Sequence, residues 1–161
     1  MKDRLMHIRL LSRCVDISRR SREAGNTPFG CLLAGADGTV LWEQDNCEIT
    51  ESVCTGHAET RLMEAASNRW SKEFLWMCTL YTTVEPCAMC SGAIYWGHVG
   101  TVVYGVSEKR LAELTGDHLQ NPTLDLPCRE VFARGRKPIV VEGPFPELEE
   151  EVISVHKGYW S

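Results

Sequence analysis

Two short stretches of the 161-residue chain carry side chains of the kind that hold a metal ion: His57-Ala58-Glu59 and Pro86-Cys87-Ala88-Met89-Cys90. Each is weak by itself. His-x-Glu is ordinarily one turn of a surface helix, and Cys-x-x-Cys also serves redox pairs and half zinc fingers. Together, with 26 residues between Glu59 and Pro86, they reinforce one another, because the gap holds a helix, a return and a strand. Cys87 and Cys90 are three apart and share a helix face. In a helix's first turn, unpaired N–H groups and the dipole favour thiolate over thiol. Thiolate sulfur and imidazole nitrogen suit zinc, and three such donors leave its fourth position for water, the mark of a catalytic rather than a structural site. Zinc lowers the pKa of such a water toward about 7. Glu59 lies two residues from His57, so at a helix terminus it leans over the same end without binding the metal. That suits a carboxylate that moves protons.

The elements that must position these residues follow from the pattern of apolar positions. Leu5, Ile8, Leu11 and Val15 recur at helical spacing over residues 3–24, and Gly25, Asn26 and Pro28 end the run. Residues 29–34 and 39–42 read as strands joined by a turn at Gly35-Ala36-Asp37-Gly38. Helix is expected at 57–69 and 86–96, strand at 78–84 and 101–106. Residues 108–114 and 127–134 read as short helices around a polar loop at 115–127, followed by a strand at 138–141 and a helix at 146–159. Strands alternating with helices after an opening hairpin argue an α/β fold. The expected form is a three-layer α-β-α sandwich, a five-stranded mixed sheet with helices on both faces, built as one domain of residues 1–161.

Apolar residues make up 43% and charged residues 24%, the balance of a soluble globular protein. No run of about 18 apolar residues exists to cross a membrane. The first 22 residues interleave arginines with apolar positions and lack the core and cleavage site of a signal peptide, so a cytoplasmic location is expected. Cysteines in a cytosolic chain point to metal ligation, catalysis or burial rather than disulfides. Six of the eight stand singly: Cys14, Cys31, Cys47, Cys54, Cys78 and Cys128. The formal charge of −5, with Arg19, Arg20 and Arg22 as the densest basic cluster, weighs against a large nucleic acid partner.

The order H-x-E…P-C-x-x-C is the signature of zinc nucleobase deaminases. The chain resembles the cytidine deaminase-like superfamily, and within it the branch of bacterial guanine deaminases and tRNA adenosine deaminases. Pro28-Phe29-Gly30, Asn46, Gly56-His57-Ala58-Glu59 and the run from Leu80 through Cys90 to Trp96 carry the resemblance, which spans residues 28–106, about half the chain. It implies one zinc per chain held by His57, Cys87 and Cys90, Glu59 as proton shuttle, and a homodimer acting on a small-molecule nucleobase. The run Gly92-Ala93-Ile94-Tyr95-Trp96 looks more like guanine deaminases, in which that tryptophan lies over the substrate ring. A guanine-like purine base is therefore the expected substrate. Phe29, Asn46, Ala58, Trp96, Asp117 and Tyr159 are the candidate base contacts, and core packing, a turn-capping Asn, a solvated loop or a frayed tail are their ordinary alternatives. Two positions depart from the family's pattern: Cys54 stands where proline is expected and Gly56 where alanine is expected.

Other readings use the same residues. Cys54 and His57 form a Cys-x-x-His that, with Cys87 and Cys90, closes a four-ligand structural zinc module. A tRNA adenosine deaminase shares the metal motif, as do deaminases of cytosine, isocytosine, pterins or nucleosides. A redox dithiol at Cys87 and Cys90 leaves His57 and Glu59 without a role.

Overall fold

A computed structural model describes residues 2–161, so Met1 of the expected 1–161 domain lies outside the described residues. The order is α1 (Lys2–Glu23), β1 (Gly30–Ala34), β2 (Val40–Asp45), α2 (Ala58–Arg69), α3 (Lys72–Trp76), β3 (Thr79–Val84), α4 (Ala88–Gly97), β4 (Thr101–Val106), α5 (Glu108–Thr115), α6 (Cys128–Ala133), β5 (Val140–Glu142) and α7 (Glu149–His156), with a 3-10 turn at Pro146–Leu148 before α7. The five strands form one sheet in the order β2-β1-β3-β4-β5. Strand β1 runs antiparallel to both neighbours, while β3, β4 and β5 run parallel.

Strands β1, β3 and β4 are buried almost throughout, and accordingly read as apolar runs rather than alternations. Their side chains still divide by parity. Leu32, Tyr81 and Val103 face a core shared with α1, α5 and α7, and Leu33, Leu80 and Val102 a second core shared with α2, α4 and α6. This is the expected three-layer mixed sandwich. Helix α1 lies hard against β1 at Gly30, where a Cβ would stand 2.6 Å from the Ser18 nitrogen and 2.8 Å from the Cys14 carbonyl oxygen. Only glycine permits that approach.

The differences from expectation are local. Helix α3 was not anticipated, since five residues are too few to show a period. Ser71 starts it by accepting from the Phe74 N–H at 3.1 Å. Strand β2 runs to Asp45, three residues further than its apolar signal, because an edge strand tolerates Glu43 and Gln44. The expected C-terminal helix divides into the 3-10 turn and an α7 that ends at His156. No helix among the described residues is long and apolar enough to cross a membrane.

Candidate active site

Parallel strands β3 and β4 end at the same edge of the sheet, the edge where open α/β sheets hold ligands. Beyond β3, Glu85-Pro86 lead into Cys87, the extended N-cap residue of α4 (φ −69°, ψ 175°). His57 has the same place on α2 (φ −69°, ψ 147°). Neither side chain caps its own helix; each meets the other instead. The His57 Nδ1 lies 3.5 Å from Cys87 Sγ and 3.6 Å from Cys90 Sγ. Tetrahedral zinc with ordinary Zn–N and Zn–S bonds sets its nitrogen and sulfur ligands about 3.6 Å apart, so these spacings fit that ion. The donor cluster contains His57, Cys87 and Cys90, all ligand atoms within 4.8 Å of one another. Cys54 is not in it, and the four-ligand structural module lacks its fourth donor.

Glu59, in the first turn of α2, is buried, and its Oε2 accepts from the Thr82 hydroxyl at 3.1 Å. That hydroxyl also lies 3.2 Å from the Val84 carbonyl, so its single proton serves one acceptor at a time. The Thr60 hydroxyl donates to Cys90 Sγ at 3.1 Å. Burial holds the Glu59 carboxyl up at about 7, with the Cys87 charge adding to the rise. The hydrogen bond with Cys87 raises His57 to about 9 against the effect of its burial. Between the two sulfurs, Cys87 is driven low by its bond with Cys90 while Cys90 is driven high by the neighbouring thiolate. A second thiolate beside the first is opposed in the absence of a cation. A dication resolves the conflict by taking two thiolates and a neutral imidazole, which is a second reason that zinc fits these donors.

A cavity of about 350 Å³ opens over the cluster. Phe29, Asn46 and Ala58 line it, together with His57, Glu59 and Cys87. The Asn46 Oδ1 accepts from the Glu48 N–H at 2.9 Å, so the NH2 end of that amide is left to donate. Trp96, Asp117 and Tyr159 do not line the cavity. Trp96 is 75% exposed, because six residues past Cys90 on a helix is a rotation of about 240°. Asp117 is exposed at the near end of a loop whose later residues, Gln120 to Leu124, form a cavity wall. Tyr159 stacks under the Arg22 guanidinium, 5.4 Å from its ring centre. Its neighbour Trp160 donates to His156 Nδ1 at 3.0 Å, with its ring 6.2 Å from that of Phe29 and 5.2 Å from that of His118. The tail therefore braces a wall of the pocket from behind.

Sequence reasoning passed over two acidic residues at the strand ends. Glu85 Oε1 accepts the Glu108 N–H at 3.0 Å and its Oε2 accepts the Cys128 N–H at 2.8 Å, tying the starts of α5 and α6 to the end of β3. Glu108 itself is buried in the cavity wall. The available signal was position: Glu85 is the first residue after β3 and Glu108 the second after β4, at the edge where ligands bind. Gly56 has a steric cause. A Cβ there would stand 2.9 Å from the Glu48 backbone N and Cα, because the segment after β2 folds back and Cys47 N–H bonds the Gly56 carbonyl at 2.9 Å.

Residues 5–106 match the family model described as the cytidine and deoxycytidylate deaminase zinc-binding region. A probable cytosine deaminase of Schizosaccharomyces pombe is 35% identical over 150 residues, covering 93% of this chain and 90% of that protein. The guanine deaminase of Bacillus subtilis is 35% identical over 108 residues, covering 66% and 69%. A tRNA-specific adenosine deaminase of Haemophilus influenzae is 26% identical over 124 residues, covering 73% and 72%. Among solved structures, a guanine deaminase from Nitrosomonas europaea superposes with a TM-score of 0.72 at 18% identity, covering 93% of this chain and 82% of the other.

Proposed function

We propose, for a chain that belongs to the cytidine and deoxycytidylate deaminase family, hydrolytic deamination of a free nucleobase, with cytosine and related 4-aminopyrimidines as substrates. One arrangement carries the reading: His57, Cys87 and a buried Glu59 outside the donor set open together into a small cavity, with the buried Cys90 completing the three donors. Its volume, about 350 Å³, is at the lower end for small-molecule sites and suits a free base. The choice of base is supported by the near full-length likeness to a protein described as a probable cytosine deaminase. Guanine, expected from the Gly92–Trp96 run, is the second reading. The Bacillus subtilis relative favours it, while Trp96, 75% exposed and outside the cavity lining, lends it no support within one chain.

His57, Cys87 and Cys90 would hold zinc, which when bound would supply the Lewis acidity that makes water a nucleophile at neutral pH. Around it, the chain positions substrate and protons. Glu59, steadied by Thr82, takes one proton from the attacking water and delivers it to the ring nitrogen beside the amino-bearing carbon; it then takes the second proton, from the hydroxyl now on that carbon, and delivers it to the departing amine. Water adds its oxygen to that carbon and ammonia leaves. The Asn46 amide donates to the ring carbonyl, the Ala58 N–H at the start of α2 helps hold the base, and Phe29 packs against its ring. One such domain, residues 1–161, works in a homodimer.

The test is ammonia release from cytosine, isocytosine, guanine, adenine, pterin and cytidine by the zinc-loaded protein, alongside inosine formation in tRNA. Turnover of cytosine is expected. Silence on every free base overturns the reading, and salt-dependent tRNA editing replaces it.

A further inference from the structure

Glu108 begins α5 at the end of β4, and its backbone is already provided for: Ser107 caps the helix, accepting from the Arg110 N–H at 3.1 Å, and Glu85 takes the Glu108 N–H. Its side chain has no such role. It is only 4% exposed, it lines the cavity that holds His57, Glu59 and Cys87, and its Oε2 is buried without a hydrogen-bond partner among the described residues. A buried carboxyl oxygen left unmatched is costly, and native proteins provide it with a donor. No Lys or Arg lines the cavity, the Asn121 amide there donates to the Thr123 hydroxyl, and neither it nor Gln120 bonds Glu108 Oε2, which leaves that oxygen open to a donor on the ligand.

The substrate reading above, on which this inference rests, fixes which donor. In cytosine the exocyclic amino group is spent at the reacting carbon. One further N–H remains, at ring N1, the atom that bears the sugar in a nucleoside. We propose that Glu108 accepts this N1–H and is the residue by which the pocket selects a free base over an N1-substituted one. Its surroundings suit the role. Burial, with the charges of Cys87, Glu85, Glu59 and Asp125 adding, pushes the carboxyl up to about 8. A neutral carboxyl sets a carbonyl oxygen beside an O–H, which matches the N1–H and C2=O edge of the base; an ionised one still accepts from N1.

The experiment compares cytosine with 1-methylcytosine in the zinc-loaded full chain and in its Glu108→Gln and Glu108→Ala variants, each checked for zinc content and melting temperature. Wild type is expected to prefer cytosine in kcat/KM by at least about 100-fold. In Glu108→Ala, KM for cytosine rises by about 10-fold or more while kcat changes less, and the preference falls at least about 10-fold. Glu108→Gln, which keeps the shape and one acceptor, lies between and decides the matter should the alanine variant not fold. A wild type without the preference, or a preference unchanged in the variants while cytosine is still turned over, overturns the assignment of Glu108 and leaves the cytosine reading standing. A wild type inactive on cytosine removes both.

Discussion

Replacing Glu85 by Gln should destabilise the protein by an amount set by two backbone N–H groups. In the native fold each carboxylate oxygen takes one, from Glu108 at 3.0 Å and from Cys128 at 2.8 Å, and Glu85, Glu108 and Cys128 are all buried. Gln offers one acceptor and turns an NH2 toward the other N–H, so one donor loses its partner and meets another donor. Leaving a buried donor unsatisfied costs about 1–3 kcal/mol. For a chain of this size that lowers the melting temperature by about 2–12 °C. Glu85→Ala orphans both donors and should cost about 2–6 kcal/mol by the same reasoning. Urea unfolding of the zinc-loaded protein gives the free energy, and amide hydrogen exchange gives the location. Protection should fall at Glu108 and Cys128, the starts of α5 and α6, before it falls in β3 or β4. A Glu85→Gln protein that melts within 1 °C of wild type, with those two amides still protected, would refute the account of Glu85 as a tie between two helices.

Three further outcomes are expected. Glu59→Gln should retain zinc but lose about 100-fold or more in kcat, since the proposed mechanism has this buried carboxyl carry the protons; near-normal turnover in a metal-replete variant contradicts that role. Cys54→Ser should keep one zinc per chain by elemental analysis, because Cys54 stands outside the donor cluster, and loss of the metal would restore the structural-module reading. His156, buried and beside Arg22, has its pKa lowered to about 4, so the unfolded chain binds its proton first as pH falls. Its contribution is whole above about pH 6.5 and drains away toward pH 4, about 2 kcal/mol of it between pH 7 and pH 5. The His156→Gln variant should lose correspondingly less stability over that interval in urea titrations, and an identical loss would sink the idea.

Much of the site was legible because its chemistry is encoded by short spacings at helix starts. His57, Glu59, Cys87 and Cys90 sit where the dipole and the unpaired N–H groups select such residues, and the gap between the pairs matches one helix, one return and one strand. Strand β4 was found with its observed bounds because an apolar run between two polar breaks has little other reading. The remaining wall was not legible. Residues 120–124 have no period and reach the cavity through the path of a loop. Trp96 resembles its counterpart in guanine deaminases by sequence, yet its direction depends on how α4 is rotated against α2 and α6, which no local pattern records. Glu108 and Glu85 resemble ordinary acidic residues near helix starts. Only the convergence of β3 and β4 gives them a shared place.

The bracing of one wall by Trp160 has a consequence for synthesis. A chain leaving the ribosome from its amino end has made every metal donor by residue 90, while the indole that packs beside Phe29 and His118 comes 70 positions later. During that interval the nascent polypeptide carries a complete set of ligands above a half-built chamber. The order of manufacture thus makes the donors available before the wall that encloses the substrate is complete.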